Sequence, residues 1–175
     1  MTGTSFAEKL AGTRIETDAG AYILLPARPD DAEFANGLLK QTMDNYVRAT
    51  WDDEADIAAY YVRNAFEGRA GDTLILYRQD KEGREPVGAV TAHDDLTPDG
   101  EKAIDLGEIH LVPSVQGQGL GQAIISEIIA KAAPLPVTLM VLEANPARHL
   151  YERLGFTVDR PGQGDTAHRL HMIRR

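Results

Sequence analysis

The residues most able to do chemistry are Gln116-Gly117-Gln118-Gly119-Leu120-Gly121, which lie between a strand-like stretch ending at Val112 and a helix-like stretch beginning at Gln122. Amides at a helix start lack intrahelical partners, and with the helix dipole they form a site for phosphate oxygens. Glycine lets the backbone come close enough to use them. The spacing excludes two common phosphate loops. A Walker loop needs a Lys-Ser/Thr pair after its last glycine, and this one continues Gln122-Ala123. The dinucleotide fingerprint needs a glycine at its sixth position, where this chain has Gln122 or Ile124.

What does fit is Q/R-x-x-G-x-G/A. Across IHLVPSVQGQGLGQAII and the later VLEANPARHLYERLGF, with Asn145, Tyr151 and Gly155-Phe156, the chain resembles the GNAT superfamily of N-acetyltransferases. The resemblance covers residues from about 105 to 158. It implies an α/β (α+β) fold: a mixed, mostly antiparallel central sheet of six to seven strands with a parallel, splayed central pair and about four flanking helices. It implies acetyl-CoA as co-substrate, gripped by Gln116, Gly117, Gln118, Gly119, Leu120, Gly121 and Gln122, with main-chain donors at Leu111 and Val112 for the thioester and pantetheine arm. Asn145 matches a position that contacts the coenzyme as well as capping a helix. Tyr151 matches the tyrosine that protonates the departing sulfur; the alternative is a core tyrosine, since it falls on the inward helical stripe beside Leu150 and Leu154. As a base the resemblance offers Asp105, with Glu108 and His110 as alternatives, or a water chain. Simple alternation puts Asp105 on one strand face and Glu108 and His110 on the other, so they can share a site only through a bulge.

The amine acceptor should meet the first two helices and their connection. There Tyr46, Trp51, Asp52, Asp53 and Glu54 combine aromatic surface with negative charge, and His110 is a further substrate-binding candidate. The bland alternative is a capped helix start with Trp51 as its packing anchor. His168 and His171 alternate along the last strand without metal-ligand spacing, and no metal is expected.

The elements that must position these residues alternate along one expected domain, 1–175. Residues 21–27 read as a strand, and a helix follows from Pro29 to about Val47 with Phe34, Leu38, Gln41 and Asn45 on one face. A second helix spans 54–66. Three strands at 72–79, 86–94 and 102–112 follow as antiparallel hairpins. A helix at 122–132 carries Ile124, Ile125, Ile128 and Ile129 on one stripe. It crosses over to strand 137–142, which therefore runs parallel to 102–112. A short helix after Asn145-Pro146 and a hairpin of 156–160 with 168–173 complete the chain. Residues 1–19 read as a flexible or peripheral extension.

At 175 residues and 43% hydrophobic, the chain can bury a core without disulfides, and it has no cysteine for a thiol nucleophile or thiolate metal site. The 18 basic and 27 acidic residues leave a net charge of −9, which disfavours nucleic acid and anionic membranes as partners and suits a cationic amine on a small molecule, amino acid derivative or peptide. The tail from Pro146 onward is basic, with six arginines against three acids. It reads either as a phosphate-facing patch or as a solvated edge strand. No targeting or membrane-spanning segment is apparent, so the expected location is cytoplasmic and a homodimer is compatible. Two other readings stay open: an acyltransferase using a longer acyl-CoA, and a non-catalytic acyl-CoA sensor on the same scaffold.

Overall fold

In the computed structural model, which describes residues 3–175, eight strands form one twisted sheet with helices on both faces. In chain order the strands are β1 (Arg14–Thr17), β2 (Gly20–Pro26), β3 (Thr73–Gln79), β4 (Arg84–Leu96), β5 (Lys102–Leu111), β6 (Val137–Leu142), β7 (Thr157–Pro161) and β8 (Arg169–Arg174). The helices are α1 (Phe6–Leu10), α2 (Ala32–Thr50), α3 (Glu54–Arg63), α4 (Leu120–Ala132) and α5 (Ala147–Arg153). The spatial order is β1-β2-β3-β4-β5-β6-β8-β7, antiparallel throughout except for the parallel pair β5/β6. That pair is joined only where Ile104–Leu106 meets Val137–Leu139; beyond these residues the strands diverge and the sheet opens.

Alternation along the strands assigns side chains to the two faces. Leu74 and Leu76 of β3 join the core beneath α1 and α4, whereas Ile75 between them packs against Leu38 of α2. Ile124, Ile125 and Ile128 are fully buried on the α4 stripe, and Ile129 packs against the same core. On α2 the buried face is Ala35, Leu38, Leu39, Met43 and Val47, while Gln41 and Asn45 are exposed. The apolar i, i+3, i+4 spacing therefore set the face, and the polar positions expected on it lie outside.

Three features differ from the sequence reading, and the first brings the sheet to eight strands, against the six to seven expected, and the helices to five, against about four. The N-terminal segment is not peripheral. Ser5 caps α1 through a capping box, Phe6 and Leu10 are 1% and 0% exposed, and β1 pairs along the sheet edge with β2. Capping and apolar burial give these short elements the stability that their length alone does not. Met1 and Thr2, at the start of that segment, lie outside the described residues. Strand β8 is interior, between β6 and β7, so the solvated edge is β7, whose residues are all exposed. β6 is not covered throughout: Met140 is 43% exposed because the diverging β5 leaves it open. No helix among the described residues is long and apolar enough to cross a membrane.

Candidate active site

The opening between β5 and β6 continues into a cleft of about 1040 Å³ bounded by the loop before α4, the start of α5, and α2 and α3. On one side, Gly117 and Gly119 take left-handed backbone conformations (φ 72° and 78°), and the chain turns directly into α4. The first intrahelical bond runs from Ala123 N–H to the Gly119 carbonyl at 3.0 Å, so the N–H groups of Leu120, Gly121 and Gln122 have no main-chain partner among the described residues, and all three residues line the cleft. Gln116 holds the loop by donating its side-chain amide to the Leu111 carbonyl at 2.7 Å. A Cβ at Gly117 or Gly119 would meet no protein atom within 4 Å, so the loop presents bare backbone to the open space. That is the donor set and clearance a diphosphate requires.

Strand β5 supplies further donors. Val112 N–H bonds to the Val87 carbonyl at 2.9 Å, toward β4. Antiparallel alternation then turns the N–H groups of Leu111 and Ile109 the other way, toward the space that β6 has left. The expected pair of donors is thus corrected: Leu111 lines the cleft, whereas Val112 is spent in the sheet and does not. Ile109, which the sequence reading passed over, takes its place.

Between Thr91 and Ala92 the β4/β5 register shifts, with Thr91 opposite Glu108 and Ala92 opposite Leu106, leaving Gly107 as an extra residue. This is the bulge that strict alternation lacked. Because His93, Thr91 and Ala89 share a face, their partners Asp105, Glu108 and His110 share it too, and all three line the cleft. The glycine is suited to the bulge, since a Cβ there would meet Thr91 Cγ2 at 3.4 Å.

Glu108 is the hub of a polar network. It accepts from Arg69 Nη1 at 3.1 Å and from His110 Nε2–H at 2.9 Å. His110 Nδ1 lies 2.8 Å from Thr42 Oγ1, which is also 2.9 Å from the Leu38 carbonyl. A carboxylate only accepts, so Nε2 must carry a hydrogen; the threonine hydroxyl then either donates to Nδ1 or donates to the Leu38 carbonyl while its oxygen accepts from Nδ1–H. Arg69 also donates to Asn64 Oδ1 at 2.7 Å, tying the end of α3 to the network. Thr42, Asn64 and Arg69 were not singled out from sequence, because nothing in their local context marks them.

Asp105, opposite Thr138 on β6, accepts from its hydroxyl at 3.0 Å. Burial raises its carboxyl above the ordinary value, with nearby His93 acting the other way. Since the neutral form is favoured in the fold, the stability this group supports is full below the unfolded carboxyl value of about 3.9 and is lost as pH rises through the raised folded value. Asp105→Asn is therefore expected to raise the urea midpoint at pH 7 relative to the parent and to bring no gain at pH 3. An unchanged midpoint at pH 7 would show that the buried carboxylate carries no penalty.

Tyr151 lies on the inward face of α5, whose start is capped by Asn145 Oδ1 accepting from Ala147 N–H at 2.9 Å. Its carbonyl receives the Phe156 N–H at 3.0 Å beyond Gly155 (φ 88°), and its ring packs edge-on to Phe156 at 5.9 Å. Burial, followed by the negative charge of Glu108, pushes its phenol up to about 12. The phenol is thus protonated at any working pH and lines the same cleft as Glu108.

Of the remaining sequence candidates, Tyr46 lines the cleft, with Asn145 beside the α2 residue Met43. Gln118 does not line it; its side chain folds back to the Ser114 carbonyl at 3.1 Å. Trp51 and Asp52 do not line it either. Asp53 caps α3 by accepting from Ala55 N–H at 2.7 Å, and Trp51 packs 5.7 Å from Tyr60, so the packing-anchor reading describes their positions.

Residues 38–156, more than half of the chain, match the model of the Acetyltransferase (GNAT) family. No curated protein matches the sequence. Among solved structures, the chain is similar to a GNAT-family acetyltransferase from Listeria monocytogenes (18% identity, TM-score 0.63, covering 93% of this chain and 99% of that one). It is also similar to the PaiA N-acetyltransferase of Thermoplasma acidophilum in complex with coenzyme A (15%, 0.60, 88% and 98%). A third is Naa50 of Arabidopsis thaliana in complex with the bisubstrate analogue CoA-Ac-MVNAL (16%, 0.57, 88% and 98%). At these identities the solved structures establish the shared fold, and the match over 38–156 establishes that this chain belongs to the GNAT acetyltransferase family.

Proposed function

We propose that the chain acts as one domain, 1–175, that transfers an acetyl group from acetyl-CoA to a primary amine. The observation that carries this reading is the convergence, in one cleft, of unpartnered amides at the α4 start, outward-turned amides of β5 and a protonated Tyr151. Coenzyme A bound to PaiA, and a coenzyme–peptide analogue bound to Naa50, on the same fold support it.

The coenzyme would supply an acetyl group activated as a thioester. The N–H groups of Gly117, Gly119, Leu120, Gly121 and Gln122 hold its diphosphate, and those of Ile109 and Leu111 face the acyl carbonyl, where they stabilise negative charge that develops during attack. Asn145 and Leu150 line the same cleft and are available to the pantetheine arm. At the other end, Glu108 or Asp105 accepts a proton from the incoming ammonium, directly or through water, leaving the neutral amine that can attack. As the carbon–sulfur bond breaks, Tyr151 donates its phenolic proton to the departing sulfur, and the second proton, shed by the newly acylated nitrogen, returns to the phenol directly or through water. Thr42, His110 and Arg69 keep Glu108 oriented.

The test is thiol release from acetyl-CoA across a panel of monoamines, amino acids and short peptides. At least one amine should accelerate release about 100-fold or more over buffer. Tight coenzyme binding with no acceleration by any amine would favour a non-catalytic sensor. Release from longer acyl-CoA but not acetyl-CoA would reassign the donor.

A further inference from the structure

The acceptor end of the cleft carries more positive charge than acetyl transfer itself uses. Arg169 opens β8 opposite Leu142 of β6 and is only 8% exposed. Its Nη1 donates to the Asp165 carbonyl at 3.0 Å, and its Cζ lies 5.6 Å from the centre of the Tyr60 ring. Among the described residues it joins no ion pair, and its Nε and Nη2 meet no protein acceptor. Its two cationic neighbours are paired, Arg69 with Glu108 at 3.1 Å and Arg63 with Asp165 at 3.8 Å. Burial is the chief influence lowering the Arg169 pKa; the charges of Arg63 and Arg69 act in the same direction, and Tyr60 and the negative charge of Glu108 act against them.

A largely buried guanidinium without a counter-ion is costly, and the planar fork that Arg169 turns to the cleft suits an oxyanion such as a carboxylate. The fold also works to keep it there. His168, immediately before it, takes φ 64°, a backbone region that non-glycine residues seldom occupy. The His168 ring packs edge-on to Trp51 at 5.8 Å, and Trp51 in turn abuts Tyr60, the ring beneath Arg169. Strain retained by surrounding packing points to a functional position. Trp51 therefore bears on the site as the support behind Arg169 without lining it.

We propose that Arg169 is a specificity-determining residue that receives a carboxylate of the acceptor, with Arg63 at the rim, so that the acceptor class is an amine that also bears a carboxylate. This rests on the acetyl-transfer reading of the same cleft. Glu108, Asp105 and Arg169 all line the one cleft, so both charges of a zwitterion find a counterpart there. The carboxylate belongs either to a free α-amino acid or to an acidic residue at a peptide N-terminus.

Trp51, the chain's one tryptophan, reports on this region by fluorescence. Protein saturated with coenzyme A is titrated with α-amino acids, with their α-carboxamides, and with amidated tripeptides that begin with Glu or Gln. At least one acid should bind about 30-fold or more tightly than its amide. Arg169→Met should abolish that preference while coenzyme affinity stays within about threefold, and Arg63→Gln, at a half-exposed rim position, should weaken it about threefold. A preference confined to amino acids assigns the carboxylate to a free metabolite; one confined to Glu-tripeptides assigns it to a peptide. Equal binding of every acid and its amide overturns the proposal, whether or not Arg169→Met folds. Carboxylate-selective binding without thiol release from any amine keeps this site and overturns acetyl transfer. Thiol release without carboxylate preference does the reverse.

Discussion

Tyr151→Phe is expected to lower kcat for amine-dependent thiol release by about 100- to 10,000-fold while leaving the Kd for coenzyme A within about threefold. The substitution removes one oxygen from a side chain that is only 9% exposed, and no protein acceptor among the described residues holds that hydroxyl. Ring packing against Phe156 and the hydrogen bonds to the Tyr151 carbonyl remain, so stability should change by less than about 1 kcal/mol. A loss of rate without loss of fold or coenzyme affinity is the signature of a proton donor. The raised phenol pKa adds a second readout. An exposed tyrosine would begin to lose its proton near pH 10. Held at about 12, Tyr151 stays protonated beyond that point, so the parent rate should show no alkaline fall through pH 9–10. A Tyr151→Phe enzyme of unchanged kcat would remove Tyr151 from the chemistry and leave it a core residue of α5.

Gly119→Val is expected to weaken coenzyme A binding by about 100-fold or more in titration calorimetry, with circular dichroism showing the fold retained. The native φ of 78° is accessible to glycine but costs a β-branched residue on the order of 1–2 kcal/mol or more. The loop can relieve that strain only by rotating, which re-aims the amides of Leu120, Gly121 and Gln122. Because a Cβ at Gly119 meets no protein atom within 4 Å, the disturbance falls on the space where phosphate oxygens would lie and not on the core. Gln118→Ala is the matched control. That side chain turns to Ser114, away from the cleft, and its loss should change Kd by no more than about twofold. Equal affinities for the parent and Gly119→Val would relocate the coenzyme's phosphates away from this loop.

Much of the framework was legible because it is written in local signals. The glycines before α4, the Asn145-Pro146 start of α5, and the turns between β3, β4 and β5 each constrain the backbone within a few residues. The short α1 and β1 escaped because neither is long enough to show a period; their apolar residues count only once they join the core that the sheet covers.

The amino-acid sequence alone determined the loop that can grip a diphosphate, the crossover that makes β5 and β6 parallel, and the placing of Tyr151 at the α5 stripe, since each depends on neighbours a few positions away. Tertiary structure decided the rest of the site. A one-residue register shift at Gly107 brought Glu108 and His110 to the face of Asp105, and the same strand pairing spent Val112 and freed Ile109. Arg69 and Arg169 reached the cleft from segments 100 residues apart. Cross-strand register and long-range packing are chosen by the summed burial of both partners, and no short window of one strand contains that sum.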